Sequence, residues 1–258
     1  MRGLGARLFG WATALVACFM VAPLAVLLLF CFNDGPLLSF PIEHFSARWF
    51  GVVFNDPEFL VALANSLVIT LAVGIASTVT GTLAGLILPQ LKVRHALSLT
   101  AFLGLPLMLP PLMLGVMLLS FFSMLDLRLG LGTVILGHLV FTQPLVVSIV
   151  AARMTGFDVA VIDSARDLGA SRAYAFFTVT LPVIRANVIG AALIAMALSL
   201  DDFLVTLFTI GGGSTLPIFL WGMLRKGVDP SINVIAATVM LLSITGSIIG
   251  LRVTRYRG

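Results

Sequence analysis

The amino-acid sequence predicts an all-α membrane protein with six transmembrane helices in a single domain, residues 1–258. Of its 258 residues, 60% are hydrophobic and only 10% are charged, and the mean hydropathy is +1.14. A soluble domain carries about a quarter charged residues. Six apolar runs are each long enough to cross a bilayer, which takes about 20 helical residues. These runs lie near residues 10–32, 60–88, 97–123, 132–153, 187–210 and 232–252.

The basic residues predict the orientation of these helices. With both termini in the cytoplasm, eleven Lys and Arg residues fall inside and four outside, which is the bias expected of membrane proteins. The inner set is Arg2, Arg7, Lys92, Arg94, Arg153, Arg166, Arg172, Arg185, Arg252, Arg255 and Arg257, and the outer set is Arg48, Arg128, Arg225 and Lys226. The polar loop 154–186 is therefore expected in the cytoplasm, and the net charge of +4 indicates orientation rather than nucleic-acid binding.

Proline and glycine mark two features of the predicted spans. The third run contains Pro106, Pro110 and Pro111 near its middle, so its helix should be kinked or broken. Such a bend suits either a gate that lines a pathway or a static packing element. In the second run, Gly81 and Gly85 form a small-xxx-small pair that allows close helix approach.

The cytoplasmic segment 158–187 predicts a helical elbow that is too short and too polar to span a membrane. Asp158 is a candidate N-cap, Gly169 occupies the place of a terminating glycine, and Ser171 is placed to cap a second short helix. Pro182 marks the end of that helix or the first turn of the next. An apolar stripe at helical spacing comprises Val159, Ile162, Ala165 and Leu168. Such an amphipathic elbow is either a generic connector or a surface that docks into a partner.

Two adjacent carboxylates lie in the fifth run. Asp201 and Asp202 follow Asn187 by about 15 residues, roughly 22 Å along a helix, which places them in the outer half of the membrane. Carboxylates are costly there and mark a pathway or a pairing. A continuous helix would give one polar stripe comprising Ser199, Asp202, Thr206 and Thr209. We therefore expect Asp202 to face a solvated pathway and Asp201 to pair or be protonated; the alternative for both is a structural hydrogen-bond cluster between helices.

Several classes of site are excluded or left unsupported by the sequence. The segment that begins Gly211-Gly212-Gly213 lacks the Lys and the helix context of a phosphate-binding loop, so this chain should bind no ATP itself. The three histidines, His44, His95 and His138, have no metal-ligand spacing. No metal site and no catalytic residue is predicted.

The elbow also carries a motif. Its Asp163-Ser164-Ala165, then Gly169, then Val179-Thr180-Leu181-Pro182 resembles the Glu-Ala-Ala–Gly–Ile-x-Leu-Pro loop of permease subunits in binding-protein-dependent ABC importers. The departures are Asp163 for Glu, Ser164 for Ala and Val179 for Ile. The resemblance implies a type I ABC importer permease fold with a cytoplasmic coupling helix that docks into a cleft on an ATPase. The implied coupling residues are Asp163, Ser164, Ala165, Leu168, Gly169, Ala170 and Ser171.

Further stretches resemble the spermidine/putrescine-type branch of that family. They are Phe32-Asn33-Asp34, Ser46–Phe50, Asn65-Ser66, Leu198–Phe203, Ser214–Pro217 and Val228–Asn233. The resemblance implies one of two homologous permeases in the bacterial cytoplasmic (inner) membrane, joined by two ATPase subunits that bind ATP and Mg and by an external substrate-binding protein. The implied solute is a polyamine, with another small amine, an opine or an aminophosphonate as the alternative.

A polyamine is a multivalent cation, and carboxylates with aromatic rings would replace part of its hydration. The candidate pathway residues are Asp202, Asp201, Ser199, Thr206, Phe203, Phe208 and Trp221. The interiors of the six runs contain no Lys or Arg that would suit an anion.

Two rival classes remain. An intramembrane hydrolase would need a base beside a nucleophile, and no His lies near the Asp pair in sequence; a stand-alone transporter would need internal repeats.

Overall fold

A computed structural model describes residues 2–36, 38–227 and 230–255. The branch motif residues Val228 and Asp229, and Arg257 of the inner basic set, lie outside the described residues. Within these ranges the chain is helical, with one isolated bridge between Asn33 and Phe45. The twelve α-helices of the described ranges are α1 Arg2–Phe30, α2 Arg48–Phe54, α3 Pro57–Ile87, α4 Val93–Met108, α5 Pro111–Met124, α6 Leu131–Thr155, α7 Ala160–Asp167, α8 Arg172–Ala175, α9 Leu181–Asp201, α10 Leu204–Thr209, α11 Leu216–Lys226 and α12 Ser231–Arg255.

Five stretches of helix in the described ranges are long and apolar enough to cross a membrane, and a bent pair of helices adds a sixth candidate. The five are Phe9–Phe30, Pro57–Gln90, Leu131–Thr155, Arg172–Asp201 and Ser231–Gly250. They correspond to five of the six predicted runs, with ends that differ by a few residues. The predicted run 187–210 differs more from its helix, because the helical stretch Arg172–Asp201 starts fifteen residues before it.

The third predicted run, 97–123, is not one continuous helix. Helix α4 ends at Met108, Leu109 is extended, and α5 begins at Pro111, with an angle of 103° between the two helices. Pro110 and Pro111 lack the N–H that a continuing helix would use, and each clashes with the preceding turn. The predicted break is therefore confirmed, and the sharp bend makes α4 and α5 separate elements.

The fifth predicted run, 187–210, is also interrupted, which the sequence did not predict. Helix α9 ends at Asp201, Asp202 has extended backbone with ψ 123°, and α10 begins at Leu204. The side chain of Asp202 accepts a hydrogen bond from the backbone N–H of Thr206 at 2.8 Å. A short carboxylate competes with the helical hydrogen-bond pattern in this way and ends a helix.

The described residues fall into two compact units, within residues 1–60 with 219–242, and within 61–218 with 243–258. Several aromatic side chains contact one another in the first unit. The ring of Phe59 is fully buried and lies 5.5 Å from that of Phe54 and 6.1 Å from that of Phe219, measured between centroids. The indole N–H of Trp49 donates to the backbone carbonyl of Asn33 at 2.8 Å, which fixes α2 against the end of α1.

The second unit contains the packed helices that position the candidate sites. Helix α6 packs along α9, and their shared core consists of Val146, Val150, Ile184, Ala191 and Ala195. Helix α10 packs against α5 through a second cluster formed by Leu114, Leu118, Phe122 and Val205.

The glycine pair of α3 lies at a close helix contact, as its spacing predicted. A Cβ atom added at Gly81 would lie 2.8 Å from Cβ of Val146, and one added at Gly85 would lie 2.7 Å from Cβ of Val150. Real Cβ atoms do not approach this closely, so these two positions have no room for a side chain. The absence of side chains at Gly81 and Gly85 therefore lets α3 approach α6.

Candidate functional site

The elbow begins close to where the sequence predicted it, with a shift of one residue. The carboxylate of Asp158 accepts from the backbone N–H of Ala160 at 3.0 Å, and α7 begins at Ala160. Val159 therefore occupies the formal cap position. Asp158 still supplies an acceptor to one of the first backbone donors, which is the purpose of a cap.

Gly169 terminates α7 through a Schellman motif. The N–H of Gly169 donates to the carbonyl of Arg166 at 2.9 Å, and the N–H of Ala170 donates to the carbonyl of Ala165 at 3.1 Å. The motif needs a left-handed backbone conformation at the residue after the C-cap. Gly169 occupies that position and has φ +93°. The predicted role of this glycine as a helix stop is confirmed.

The second arm of the elbow starts at Ser171, whose hydroxyl accepts from the N–H of Tyr174 at 3.2 Å. Helix α8 is followed by a π-helical turn, Phe176–Thr180, and then by α9, so that helix continues from Arg172 to Asp201. Pro182 lies in the first turn of α9, which decides between the two alternatives that the sequence left open. The second arm is thus the first part of a continuous helical stretch that ends at Asp201.

Apolar side chains are exposed on the surface of the elbow. Leu168 is 90% exposed at the tip, and Tyr174 and Phe177 of the second arm are 63% and 64% exposed. Beside them, Arg166 lies 3.9 Å from Asp163. The remaining predicted coupling residues, Ser164, Ala165, Gly169, Ala170 and Ser171, line or adjoin the same projection. A rigid apolar tip flanked by charges can insert into a groove on another protein.

The second candidate site surrounds the break between α9 and α10. Asp202 Oδ2 accepts from both the backbone N–H and the hydroxyl of Thr206, at 2.8 and 3.1 Å. Opposite them lies His138 of α6, which is 1% exposed. Its Nε2 is 3.2 Å from Asp202 Oδ2 and 2.9 Å from Thr206 Oγ1, and its Nδ1 is 2.8 Å from Ser199 Oγ.

This cluster continues across α6 to α3. The hydroxyl of Thr142 donates to the carbonyl of His138 at 2.7 Å and lies 2.8 Å from the hydroxyl of Ser77. Both hydroxyl-bearing residues are completely buried. A chain of polar contacts therefore links α3, α6, α9 and α10 through the apolar second unit.

The predicted neighbours Ser199, Asp202 and Thr206 do lie together, but their surroundings differ from the expectation. The side chain of Asp202 is only 12% exposed and faces His138, whereas Asp201 is exposed. The sequence predicted a paired environment for Asp201 and an open one for Asp202, on the assumption of a continuous helix. Helix α9 instead ends at Asp201 and the backbone of Asp202 is extended, which changes the direction of the Asp202 side chain.

His138 is the residue that sequence reasoning missed. It lies 61 positions before Ser199, so spacing along the chain gives no sign of their contact. The available signal was a polar, hydrogen-bonding side chain inside a predicted transmembrane run, where an unpaired imidazole would be costly.

The aromatic candidates have separate environments. Phe203 is half-buried at the start of α10. The ring of Phe208 packs over Gly115 of α5, since a Cβ added there would lie 2.8 Å from Phe208 Cδ2. Trp221 belongs to the first unit, where the guanidinium of Arg225 lies 6.0 Å from its ring centroid.

The contact of Ser199, His138 and Asp202 joins the residue types of a hydrolytic triad. A nucleophile must reach a substrate, and Ser199 and His138 are 4% and 1% exposed. The neighbouring hollow is too narrow to admit a water molecule. In this arrangement the three side chains satisfy one another's hydrogen bonds, and the described residues form no group of metal-ligating side chains.

Comparison with known proteins agrees with this architecture. Residues 77–256 match the family described as binding-protein-dependent transport system inner membrane component. The putrescine transport system permease protein PotI of Escherichia coli K12 is 30% identical over 86% of this chain and 82% of its own length. The spermidine/putrescine transport system permease protein PotC of the same organism is 28% identical over 91% of this chain and 89% of its own.

A bacterial alginate ABC transporter, solved in complex with a periplasmic protein bound to an alginate pentasaccharide, contains a chain of the same fold. The TM-score is 0.73 over 98% of each chain, at 12% sequence identity. The family match covers more than half of the sequence. The chain therefore belongs to the family of binding-protein-dependent transport system inner membrane components, the multi-pass permease subunits of ABC importers, and it is a transport component rather than an enzyme.

Proposed function

We propose that this permease forms half of the translocation pathway for a small cationic solute, with spermidine or putrescine as the leading candidates. The observation that carries the proposal is the similarity to PotI and PotC, which extends over more than four fifths of each chain. A second solute class, comprising other small amines, opines and aminophosphonates, remains the alternative.

The proposed complex contains a second homologous permease, two ATPase subunits and an external substrate-binding protein. ATP and Mg²⁺ belong to the ATPase subunits in this proposal, and both termini of the permease lie in the cytoplasm. The exposed tip at Leu168 supports an ATPase docking surface, because an apolar side chain that is 90% exposed favours burial in a partner. The positive-inside bias supports the orientation.

The elbow is suited to transmit movement. The Schellman bonds at Gly169 tie the end of α7 to the start of the second arm, and the second arm continues into α9 without a break. Displacement of the elbow by ATPase closure would therefore move α9, and with it the region around Asp201 and Asp202. The 103° bend between α4 and α5 offers a place where such displacement is absorbed.

The proposed pathway uses carboxylates to replace water around the solute's ammonium groups. Asp201 is exposed, while Asp202 is held by His138 and Thr206. Ser199 and Thr206 supply hydroxyl oxygens beside Asp202. Aromatic faces attract cations, and the proposed aromatic members in the same unit are Phe203 and Phe208; Trp221 belongs to the first unit.

The proposal is tested by ATP hydrolysis in the reconstituted complex of this permease, its partner permease, the ATPase and the binding protein. Spermidine, putrescine and a neutral solute of similar size are compared at saturating ATP. Stimulation by a polyamine and not by the neutral solute supports the proposed function. An assembled complex that hydrolyses ATP but responds to neither polyamine would retain the ABC permease assignment and remove the polyamine proposal.

A further inference from the structure

His138 has two acceptors within reach of one nitrogen. Its Nε2 lies 3.2 Å from the carboxylate of Asp202 and 2.9 Å from the hydroxyl of Thr206. A neutral imidazole with the proton on Nε2 can donate to either of them, while Nδ1 accepts from the hydroxyl of Ser199. If Asp202 moved away, the Nε2 proton would still have an acceptor in Thr206. The imidazole can therefore release the carboxylate without becoming an unpaired buried donor.

The space beside Asp202 is too small to hold a water molecule, and most of the residues that line it are polar. Its walls include Ser66, His138, Ser199, Asp202, Thr206 and Thr215. The hydroxyl of Thr215 is buried, and it has no hydrogen-bond partner among the described residues. Buried hydroxyls normally have a partner. Those of Thr70 and Thr82 also have none among the described residues, but of these three only Thr215 lines the space beside Asp202.

The position of Thr215 is fixed by its neighbours in the chain. The N–H of Leu216 donates to Ser66 Oγ at 2.9 Å, and Asn65 Nδ2 donates to the carbonyl of Ser214 at 2.8 Å. These two bonds hold the segment 214–216 to α3. The hydroxyl of Thr215 is thus kept at the wall of the space instead of turning toward solvent.

We propose that His138 is a positioning residue that holds Asp202 in the closed pathway and yields it to a primary ammonium group of the solute. The ammonium group has three donors and no acceptor, and it would bind Asp202, Ser199 and Thr215 when the space opens. The inference rests on the proposed function, because it requires a cationic solute. It goes beyond that function by naming the group that competes with the solute for the pathway carboxylate.

Two substitutions of His138 separate its two contacts. In His138→Gln the amide reaches the place of Nε2 and keeps a donor toward Asp202 and Thr206. In His138→Asn the shorter amide reaches only the place of Nδ1, toward Ser199. We expect His138→Asn to lower the maximal rate of polyamine uptake by about tenfold, the effect of losing one hydrogen bond to a charged group. The KM for loaded binding protein should not change, and His138→Gln should restore most of the rate.

The substitution Thr215→Val separates a role in solute binding from a role in stability. It removes a hydroxyl that has no partner in the closed state, so thermal stability should be unchanged or higher. Loss of uptake in a complex of full stability marks a role in the open state. Uptake at the wild-type rate would contradict the proposed ammonium site.

The deciding measurement is the ¹⁵N spectrum of His138 in the assembled importer, with His44 and His95 replaced by Gln. At rest we expect a proton on Nε2 and none on Nδ1. In the vanadate-trapped complex loaded with spermidine, the Nε2 resonance should shift as its acceptor changes, and a neutral solute should cause no shift. A resting proton on Nδ1, or an unchanged Nε2 resonance in a complex that transports spermidine, would overturn the inference. Failure of the wild-type complex to transport any polyamine would instead overturn the proposed function, and the resting tautomer would still test the contact with Asp202.

Discussion

Asp201 and Asp202 are adjacent in sequence, yet they meet different surroundings because a helix ends between them. Asp202 lies in a network with His138 and Thr206, and Asp201 is exposed. A carboxylate inside an apolar protein is stable only when its oxygens have donors. Asp202 has three such donors within 3.2 Å, so it serves the architecture of the break as well as the proposed pathway.

Asp202→Asn should impair transport more than Asp201→Asn. The amide keeps the shape of Asp202, and its oxygen can take the place of Oδ2, but it removes the charge that attracts a cation. We expect a loss of about tenfold or more in uptake by Asp202→Asn, since hydrogen bonds to charged groups are worth about 1.5–3 kcal/mol. Uptake and thermal stability of both variants are measured in the assembled complex; equal losses, or a larger loss in Asp201→Asn, would contradict this order.

The elements differ in how far the sequence predicts them. Local signals were sufficient for the break before Pro111, the cap at Ser171 and the stop at Gly169, because each depends on the backbone of a few neighbouring residues. The break after Asp201 was missed because residues 191–210 contain no proline or glycine that would mark the end of a helix. The break depends on the hydrogen bond that the carboxylate of Asp202 accepts from the backbone N–H of Thr206. The same carboxylate contacts His138 of α6, a helix that is distant in sequence.

Gly169→Ala should weaken coupling between ATP hydrolysis and transport. The residue has φ +93°, where a Cβ costs about 1–2 kcal/mol, so α7 would lose its stop and the tip at Leu168 would move. Gly169→Pro, and a charge at Ala165, should have larger effects. Gly190→Ala is the matched control, because Gly190 lies within α9 with no atom within 4 Å of an added Cβ. The measurement is solute transported per ATP hydrolysed, and normal coupling in all three elbow variants would remove the elbow's proposed role.

Gly85→Ala should destabilise the contact between α3 and α6. The added Cβ would lie 2.7 Å from Cβ of Val150 and 3.0 Å from the carbonyl oxygen of Val147. Overpacking of this kind costs about 1–3 kcal/mol. Thermal unfolding in detergent is compared with that of Gly246→Ala, a helical site with nothing within 4 Å of an added Cβ. A melting temperature equal to that of the control would show that the helices can separate at no cost.

At the scale of the whole molecule, composition and hydropathy predicted the class and the approximate spans, because the bilayer imposes length and polarity on each helix separately. The central polar cluster could not be predicted in this way. His138, Ser199 and Asp202 come together only after α6 has packed along α9, and that packing depends on the shapes of Val146, Val150 and Ala191 rather than on any repeating pattern. Contacts between residues that are far apart in sequence are thus the part of the site that the sequence did not predict.

The orientation of the whole chain is the remaining prediction, and it can be tested with single cysteines. Cys18 and Cys31 are first replaced by Ala, and cysteine is then introduced at Ser39 or at Gln90, both of which are exposed. Because eleven of fifteen basic residues lie on the side assigned to the cytoplasm, Ser39 should face outward and Gln90 inward. A membrane-impermeant thiol reagent should therefore label Ser39→Cys in intact cells and Gln90→Cys only in inverted vesicles. The reverse pattern would place the elbow outside, where no ATPase could drive it, and would refute the coupling mechanism together with the orientation.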